Sequence, residues 1–271
     1  MNIHPTAIIS PEAKVGDNVE VGPYAIIESG AEIGSNCVIQ AHAVIEGSAT
    51  LGQGNVVGYG TIIGSAPQDL SHTPKIKSRV IIGDNNRIRE HVTIHRGSKE
   101  DGITRVGDHC FLMTGCHLAH DVQIGNHVII TNNVLLAGHI EVGERAVLGG
   151  GSVFHQFIRI GRNAMVSGGL RFGKDIPPFT IGGHLNTIIG LNAIGLRRSG
   201  ISSSTRLALQ EAYRIVFLGN KPRREAVQEL LQLEHPTEVR EFLEFIASSK
   251  RGCCMARKRD RDATAEDERA D

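Results

Sequence analysis

Three histidines and one aspartate have a spacing that suits proton transfer. His120 is followed directly by Asp121, and His139 and His155 come later in the chain at two similar intervals. Imidazole is the side chain best suited to acid–base chemistry near neutral pH, and a neighbouring carboxylate can orient it or stabilise its charged form. If the chain returns to the same place at about the same interval, these side chains form one site.

Two further residues belong to this candidate site. His117 lies one strand length before His120, and Gly138 directly precedes His139. A glycine lets backbone N–H groups approach a ligand, where they can stabilise an oxyanion. The alternatives are a metal site built from the three histidines and a set of exposed histidines without a role.

The element that could position these residues is a repeat of six. Aliphatic side chains recur at nearly every sixth position, and a period of six suits a short strand followed by a turn. Three such units close a triangular coil of about 18 residues, and coils stack at ~4.8 Å. The sequence therefore predicts a parallel β-helix, which is left-handed in the proteins that this repeat resembles; a β-sandwich with strands every 8–12 residues is the alternative. The repeating residues are Ile3, Ile9, Val15, Val21, Ile27, Ile33, Ile39, Ile45, Leu51, Val57, Ile63, Ile82, Ile88, Ile94 and every sixth residue from Val106 to Val166.

The breaks in this repeat predict the domain organisation. Residues 1–186 are assigned to the β-helix, with loops near 64–81 and 96–105, and insertions in such folds often lie on the binding face. Residues 187–250 are assigned to a small α-helical domain, because apolar residues there recur at helical spacing. The remaining segment, 251–271, is rich in charges and is predicted to be a disordered tail in which Cys253 and Cys254 have no structural role.

Composition excludes several classes of protein. The chain has 271 residues with 29 basic and 29 acidic side chains, so no overall positive charge points to nucleic acid. No apolar run reaches the length of a transmembrane segment, and the N-terminus lacks the pattern of a secretory signal. Five irregularly spaced cysteines are typical of reduced thiols in a cytoplasmic protein.

Two other groups of side chains have open interpretations. His91, His109 and His127, extended by Arg145, are predicted to form an outward ladder that faces solvent or a subunit interface. Basic residues also concentrate near the start of the helical region, as a solvated surface or as a docking patch for an anionic partner. These basic residues are Arg197, Arg198, Arg206, Arg214, Lys221, Arg223 and Arg224.

Several motifs occur in the order seen in one enzyme family. Over about residues 1–250 the sequence resembles the acyl-carrier-protein-dependent UDP-N-acetylglucosamine O-acyltransferases, which carry out the first step of lipid A biosynthesis. The motifs that carry this resemblance are Pro67-Gln68-Asp69-Leu70, Thr93-Ile-His-Arg-Gly97, His117-Leu-Ala-His120-Asp121, Ala137-Gly138-His139, His155-Gln156-Phe157, Gly190-Leu-Asn192 and Gly195-Leu-Arg197-Arg198.

The resemblance implies a homotrimer with active sites between subunits. It implies transfer of a (3R)-hydroxyacyl chain from acyl carrier protein to the 3-hydroxyl of a UDP-amino sugar, with acyl carrier protein as co-substrate and no cofactor or metal. By the same resemblance His120 is the general base, Asp121 its partner and Gly138 the oxyanion donor. The other matched positions are the substrate contacts Asp69, His139, His155 and Gln156, the nucleotide-side residues Asn192 and Arg198, the acyl-donor residue His117 and the chain-length residue Gly168.

The sequence departs from the family pattern at a few positions. Ser71 stands where a lysine is common, Ile194 stands where a glutamate is common, and residues 183–186 replace a Gln-Gly-Asn motif. These departures concern sugar and uridine contacts, so N-acylation of a 3-amino sugar stays open. Another hexapeptide acyltransferase, a metal-bearing hydratase and a β-helix scaffold without enzymatic activity are the further alternatives.

Overall fold

The computed structural model describes residues 2–256, and within them the chain winds into a three-sided parallel β-helix. Each side is a sheet of short strands, and consecutive strands of the chain fall on consecutive sides. The first sheet contains Asn2–Ile3, Glu20–Val21, Val38–Ile39, Val56–Val57, Arg87–Ile88, Phe111–Leu112, Ile129–Ile130, Val147–Leu148, Met165–Val166, Thr180–Gly183, Thr187–Leu191 and Met255–Ala256. The second contains Ile8–Ile9, Ile26–Ile27, Val44–Ile45, Ile62–Ser65, Thr93–His95, His117–Leu118, Leu135–Leu136, Val153–Phe154 and Arg171–Phe172. The third contains Lys14–Val15, Glu32–Ile33, Ala49–Leu51, Arg79–Ile82, Ile103–Val106, Gln123–Ile124, Glu141–Val142 and Arg159–Ile160.

The repeat of six explains the core of this prism. From Val21 onward the aliphatic residue that ends each hexad points inward and is buried, as Ile45, Leu118 and Leu136 show. The chain turns between sheets at short corners, where one residue often adopts a left-handed conformation such as φ 60° at His139. Few residue types adopt that conformation readily, so the corners favour Asn, Asp, His and Gly.

Two long loops leave the prism at the same edge. Residues 66–78 connect a strand of the second sheet to Arg79–Ile82 of the third, and residues 96–102 make the equivalent connection to Ile103–Val106. Because every coil crosses from the second sheet to the third at this edge, both loops lie beside the corners that follow them in the chain. These corners contain His120 and His139.

The predicted ladder of histidines is correct in part. The rings of His109 and His127 stack at 5.1 Å, and Arg145 follows them on the same edge. His91 lies on a different edge, where its N–H donates to the Tyr59 carbonyl. The prediction was wrong for His91 because the loop at 96–102 lengthens one coil, so that Thr93 pairs with His117 rather than with a residue one regular coil later.

A helical region covers residues 193–247 beyond the prism. Its helices are α1 (Ala193–Arg198), α2 (Ser203–Tyr213) with a π-helical turn at Arg214–Leu218, α3 (Arg223–Leu231) and α4 (Thr237–Ala247). Their buried side chains recur at helical spacing, among them Leu209, Val227 and Phe242. No helix within the described residues is long and apolar enough to cross a membrane.

The C-terminal segment corrects two expectations. Residues 187–191 form a strand rather than the start of the helical domain, and Met255–Ala256 pairs with it. Cys253 and Cys254 are buried, and the Cys254 N–H donates to the Asp175 carbonyl. The prediction of a disordered tail from residue 251 is therefore wrong for residues 251–256. This short stretch carries little charge, and the charge-rich segment follows it. Residues 257–271 lie outside the described part of the chain.

The basic residues of the helical region do not form one free patch. Arg223 donates to the backbone carbonyls of Cys253 and Cys254, and Lys221 and Arg214 form ion pairs with glutamates of the same region. Arg197, Arg198 and Arg224 are exposed. A docking role for these three stays a prediction.

Candidate active site

The edge that bears the two long loops also holds the histidines. His139 N–H donates to the His120 carbonyl over 3.1 Å, and Phe157 N–H donates to the Gly138 carbonyl over 3.1 Å. Successive corners at 120–121, 138–139 and 156–157 are therefore stacked, and we call these three corners the histidine corner. The stack places His120 below Gly138 and Asp121 below His139.

His120 and Asp121 form the central pair. Nδ1 of His120 lies 2.8 Å from Oδ2 of Asp121, and both side chains are 14% exposed. Because the carboxylate engages Nδ1, the His120 ring keeps Nε2 for a ligand. This is the arrangement in which an imidazole accepts a proton while a carboxylate fixes its tautomer.

The environment keeps the Asp121 carboxyl ionised. Burial raises the pKa of Asp121, but hydrogen bonds from Ser98 and His120 outweigh it, so that the net pKa lies below the ordinary value. The charge of His139 lowers this pKa further. An ionised carboxylate is the form that can accept the Nδ1–H of His120.

Gly138 lies against the ring of His120. A Cβ atom at this position would come within 2.7 Å of Nε2 of His120, so only glycine leaves room for the ring. The N–H of Gly138 has no acceptor among the described residues. A free backbone N–H beside a candidate base is suited to stabilising an oxyanion.

His139 packs between two rings. Its ring contacts the His120 ring edge-on, with 5.1 Å between the ring centroids, and stacks on the Phe157 ring, with 4.6 Å between the centroids. Burial lowers the pKa of His139, and Nε2 lies 3.6 Å from Oδ2 of Asp121. Sequence reasoning missed Phe157 as a packing partner, although its place one coil after His139 could have shown it.

His117 lies behind the pair on the second sheet. Its Nδ1 is 2.8 Å from the hydroxyl of Thr93, and its ring meets His95 at 5.1 Å. Burial, aided by the charge of His95, lowers the pKa of His117 to about 4. His117 is therefore neutral at physiological pH. His95 in turn binds the first long loop through the Ala66 carbonyl, 2.6 Å from its Nδ1.

A cavity of about 360 Å³ joins most of these groups. It brings together His117, His120 and Gly138, as the sequence predicted, and Gln156 from the next coil. Its remaining walls are apolar apart from Gln68, which the first loop contributes. A cavity with an apolar wall and a few convergent polar groups suits a ligand that has both an apolar part and a polar part.

Asp69 lies on the same loop, next to Gln68. Its Oδ1 accepts hydrogen bonds of 2.8 Å from both the backbone and the hydroxyl of Ser71. These hydrogen bonds lower the pKa of Asp69, with smaller contributions from the charges of His120 and His72. Asp69 is therefore an anion near the histidine corner, and its turn is held by the two hydrogen bonds from Ser71.

The same groups could also bind a metal ion. One ligand atom each from His120, Asp121 and His139 lies within 4.8 Å of the others. This set contains two histidines and one carboxylate, and differs from the three-histidine site considered as an alternative because His155 is replaced by Asp121. The hydrogen bond between His120 and Asp121 accounts for the present arrangement without a metal.

Comparison with known proteins identifies the family. A family model described as UDP-N-acetylglucosamine O-acyltransferase, domain 2, matches residues 175–254, and a hexapeptide transferase model matches 12–47 and 103–138. The acyl-[acyl-carrier-protein]--UDP-N-acetylglucosamine O-acyltransferase of Aquifex aeolicus is 58% identical over 95% of this chain and 100% of its own length. This chain belongs to that acyltransferase family. The enzyme of the same name from Sulfurihydrogenibium is 57% identical over 93% of this chain and 94% of its own length.

Solved structures of the acyltransferase family share the fold. The UDP-N-acetylglucosamine acyltransferase from Campylobacter jejuni matches with a TM-score of 0.89 at 38% identity, covering 94% of this chain and 100% of its own. The enzyme from Moraxella catarrhalis matches with the same TM-score at 40% identity, covering 94% and 100%. The predicted left-handed parallel β-helix followed by a small helical domain is thereby confirmed.

Three residues that the family resemblance singled out lie away from the cavity in a single chain, and a fourth, His155, lies beside the cavity without lining it. His155 is exposed at the histidine corner, with Nδ1 3.2 Å from the Gln156 carbonyl. Gly168 lies at a different edge, where its corner stacks on Gly150. Asn192 caps α1 through Gly195 N–H and donates to the Asn163 carbonyl at a third edge; Arg198 is exposed at the end of α1. Their roles stay predictions.

Proposed function

We propose that this acyltransferase moves a (3R)-hydroxyacyl chain from acyl carrier protein to the 3-position of UDP-N-acetylglucosamine, with His120 as the general base. This is the first step of lipid A biosynthesis, and acyl carrier protein and the UDP-amino sugar are its two substrates. The observation that carries the proposal is that His120 and Gly138 line one cavity while Asp121 lies 2.8 Å from Nδ1 of His120. We also propose a cytoplasmic location, where acyl carrier protein is available.

The proposed reaction needs one base and one oxyanion donor. Nε2 of His120 takes the proton of the sugar 3-hydroxyl while the oxygen attacks the thioester carbonyl, and Asp121 stabilises the resulting imidazolium. The N–H of Gly138 stabilises the negative oxygen of the tetrahedral intermediate. When the intermediate collapses, the C–S bond breaks and the leaving thiolate takes the proton back from His120.

Substrate contacts are proposed from the family resemblance, and the lining of the cavity supports some of them. Asp69 and Gln156 are proposed to contact the sugar or the donor at the mouth, while His117 lies at the acyl-donor side. His139 packs against the base and is proposed to contact substrate through its exposed edge. The apolar side chains Leu135 and Val153 line the same cavity and suit an acyl chain.

A homotrimer is proposed for a geometric reason. Gly168, Asn192 and Arg198 are assigned to the same substrates as His120, yet in one chain they lie at other edges of the prism. A second chain that packs against the histidine corner could supply them, which supports active sites between subunits. Sedimentation of the purified protein tests this, because a monomer that is fully active would contradict it.

The function is tested by product identification. The purified protein is incubated with hydroxyacyl carrier proteins of several chain lengths and with either UDP-N-acetylglucosamine or its 3-amino analogue, and products are identified by mass spectrometry. An O-acylated UDP-N-acetylglucosamine is expected. Transfer to the 3-amino analogue alone would favour N-acylation, and no transfer to either acceptor would overturn the proposal.

A further inference from the structure

The second long loop, residues 96–102, contacts Asp121, the partner of the proposed base His120. Ser98 donates two hydrogen bonds to Oδ2 of Asp121, from its backbone N–H over 3.0 Å and from its hydroxyl over 2.6 Å. The same oxygen lies 2.8 Å from Nδ1 of His120. Ser98 and His120 therefore approach one carboxylate oxygen from two sides.

The loop that carries Ser98 is held in one conformation. Arg96 N–H donates to the Ser65 carbonyl over 3.0 Å, and Gly102 N–H donates to the Lys99 carbonyl over 2.9 Å. A Cβ atom on Gly97 would lie 2.7 Å from Cα of Gly102, so the two ends of the loop touch. The loop is thus a tight, fixed turn that presents Ser98 to the carboxylate.

The backbone of Asp121 is fixed without Ser98. Its φ is 62°, the left-handed value that recurs at the corners of this prism. Thr104 accepts the Asp121 N–H over 2.8 Å and holds the backbone, which leaves the direction of the carboxylate to be set by Ser98. Without the hydroxyl, the shorter of the two hydrogen bonds from Ser98 is lost, and only its N–H still holds Oδ2 from the side of the loop.

We propose that Ser98 is a positioning residue that acts on the base through Asp121. Ser98 does not line the cavity, so it contributes through the orientation and ionisation of the carboxylate rather than through contact with substrate. The inference rests on the proposed function, since it assigns Ser98 to the reaction in which His120 is the base. It also gives a role to the loop at 96–102, which the β-helix itself does not need.

Two variants of equal shape isolate the hydroxyl. Ser98→Thr keeps a hydroxyl and Ser98→Val replaces it with a methyl group, so any steric effect on the loop is shared. We expect kcat for Ser98→Val to be about 10-fold below that of Ser98→Thr, since one hydrogen bond to a charged group has about this effect. The KM values of the two variants for the UDP-amino sugar are expected to agree within about twofold, because neither variant loses a substrate contact.

A matched control and the wild-type enzyme complete the experiment. The control is Ser35→Ala, because Ser35 is similarly exposed but lies at another edge, where its hydroxyl accepts a hydrogen bond from the Asp17 N–H over 3.2 Å. This variant should leave kcat unchanged. Equal kcat values for Ser98→Val and Ser98→Thr, or a difference confined to KM, would overturn the inference. Absence of transfer by the wild-type protein would instead overturn the proposed function, so the two failures are distinguishable.

Discussion

Gly138 and His120 are in direct contact across two coils of the prism. A Cβ atom on Gly138 would lie 2.7 Å from Nε2 and 3.0 Å from Nδ1 of the His120 ring. Because a Cβ atom there would overlap the ring, the imidazole can keep its present position only beside a glycine. The position of the proposed base therefore depends on the residue that provides the proposed oxyanion donor.

The first prediction concerns this contact. Gly138→Ala should displace the His120 ring and lower transfer at least about 10-fold, while the fold persists because neither residue belongs to the hydrophobic core of the prism. Steady-state transfer and thermal unfolding are measured together. Gly173→Ala is the matched control, because a Cβ there would have its nearest neighbour at 4.0 Å; a similar loss in both variants would contradict the account.

The second prediction concerns the carboxylate of Asp121. Asp121→Asn keeps the size of the side chain but offers an amide to Nδ1 of His120 and cannot stabilise an imidazolium. We expect kcat to fall about 100-fold or more, in line with the loss of a charged orienting group. The measurement is kcat with saturating substrates, and a variant that retains more than about a tenth of wild-type kcat would show that the pair is not used.

The third prediction concerns stability and pH. The folded pKa of His117 is about 4, below the ordinary value of 6.5, so the unfolded chain binds a proton there that the folded protein does not. Stability should therefore fall as pH drops from about 6.5 to 4, by up to about 3 kcal/mol from this group. Denaturant unfolding across this range measures it.

A variant separates this effect from other titrations. His117→Gln does not titrate and can still hydrogen-bond Thr93, so its loss of stability over the same pH range should be smaller than that of the wild type. Identical pH dependence in the two proteins would contradict the assigned shift at His117.

The fourth prediction concerns the attachment of the C-terminal segment. Asp175 is 1% exposed and accepts hydrogen bonds from the Arg159 N–H at 2.9 Å and the Ser249 hydroxyl at 2.7 Å. Asp175→Ala removes the acceptor of both hydrogen bonds and the carboxylate that lies 3.4 Å from Nε of Arg159, and should cost about 3 kcal/mol. We expect the Tm of Asp175→Ala to drop by several degrees. Asp17→Ala, which removes an exposed aspartate, is the control and should leave Tm unchanged. Equal Tm values for the two variants would contradict the prediction.

The sequence predicted the prism because its core obeys a strict period. A buried aliphatic side chain at each sixth residue leaves few other ways to bury the chain, and the return of the backbone after every third hexad then joins His120 to His139. The same arithmetic failed for His91, because a loop of unknown length intervened. Counting residues predicts a register only between insertions.

Other features depended on contacts that a sequence does not display. The loop at 96–102 could be recognised as an insertion, but nothing in its residues indicates that Ser98 points at Asp121. Cys253 and Cys254 were assigned to a tail because charged residues follow them, whereas their burial depends on Asp175 in a distant coil. Sequence pattern predicts periodic elements well and predicts single tertiary contacts poorly.

The central claim is that His120 is the base of acyl transfer. His120→Gln keeps a polar side chain of similar reach but cannot accept the proton, and its transfer of a hydroxyacyl chain from acyl carrier protein to UDP-N-acetylglucosamine is compared with that of the wild type by single-turnover mass spectrometry. We predict a rate at least about 100-fold lower with an unchanged Tm. A His120→Gln enzyme with the same Tm and more than about a tenth of the wild-type rate would contradict the account.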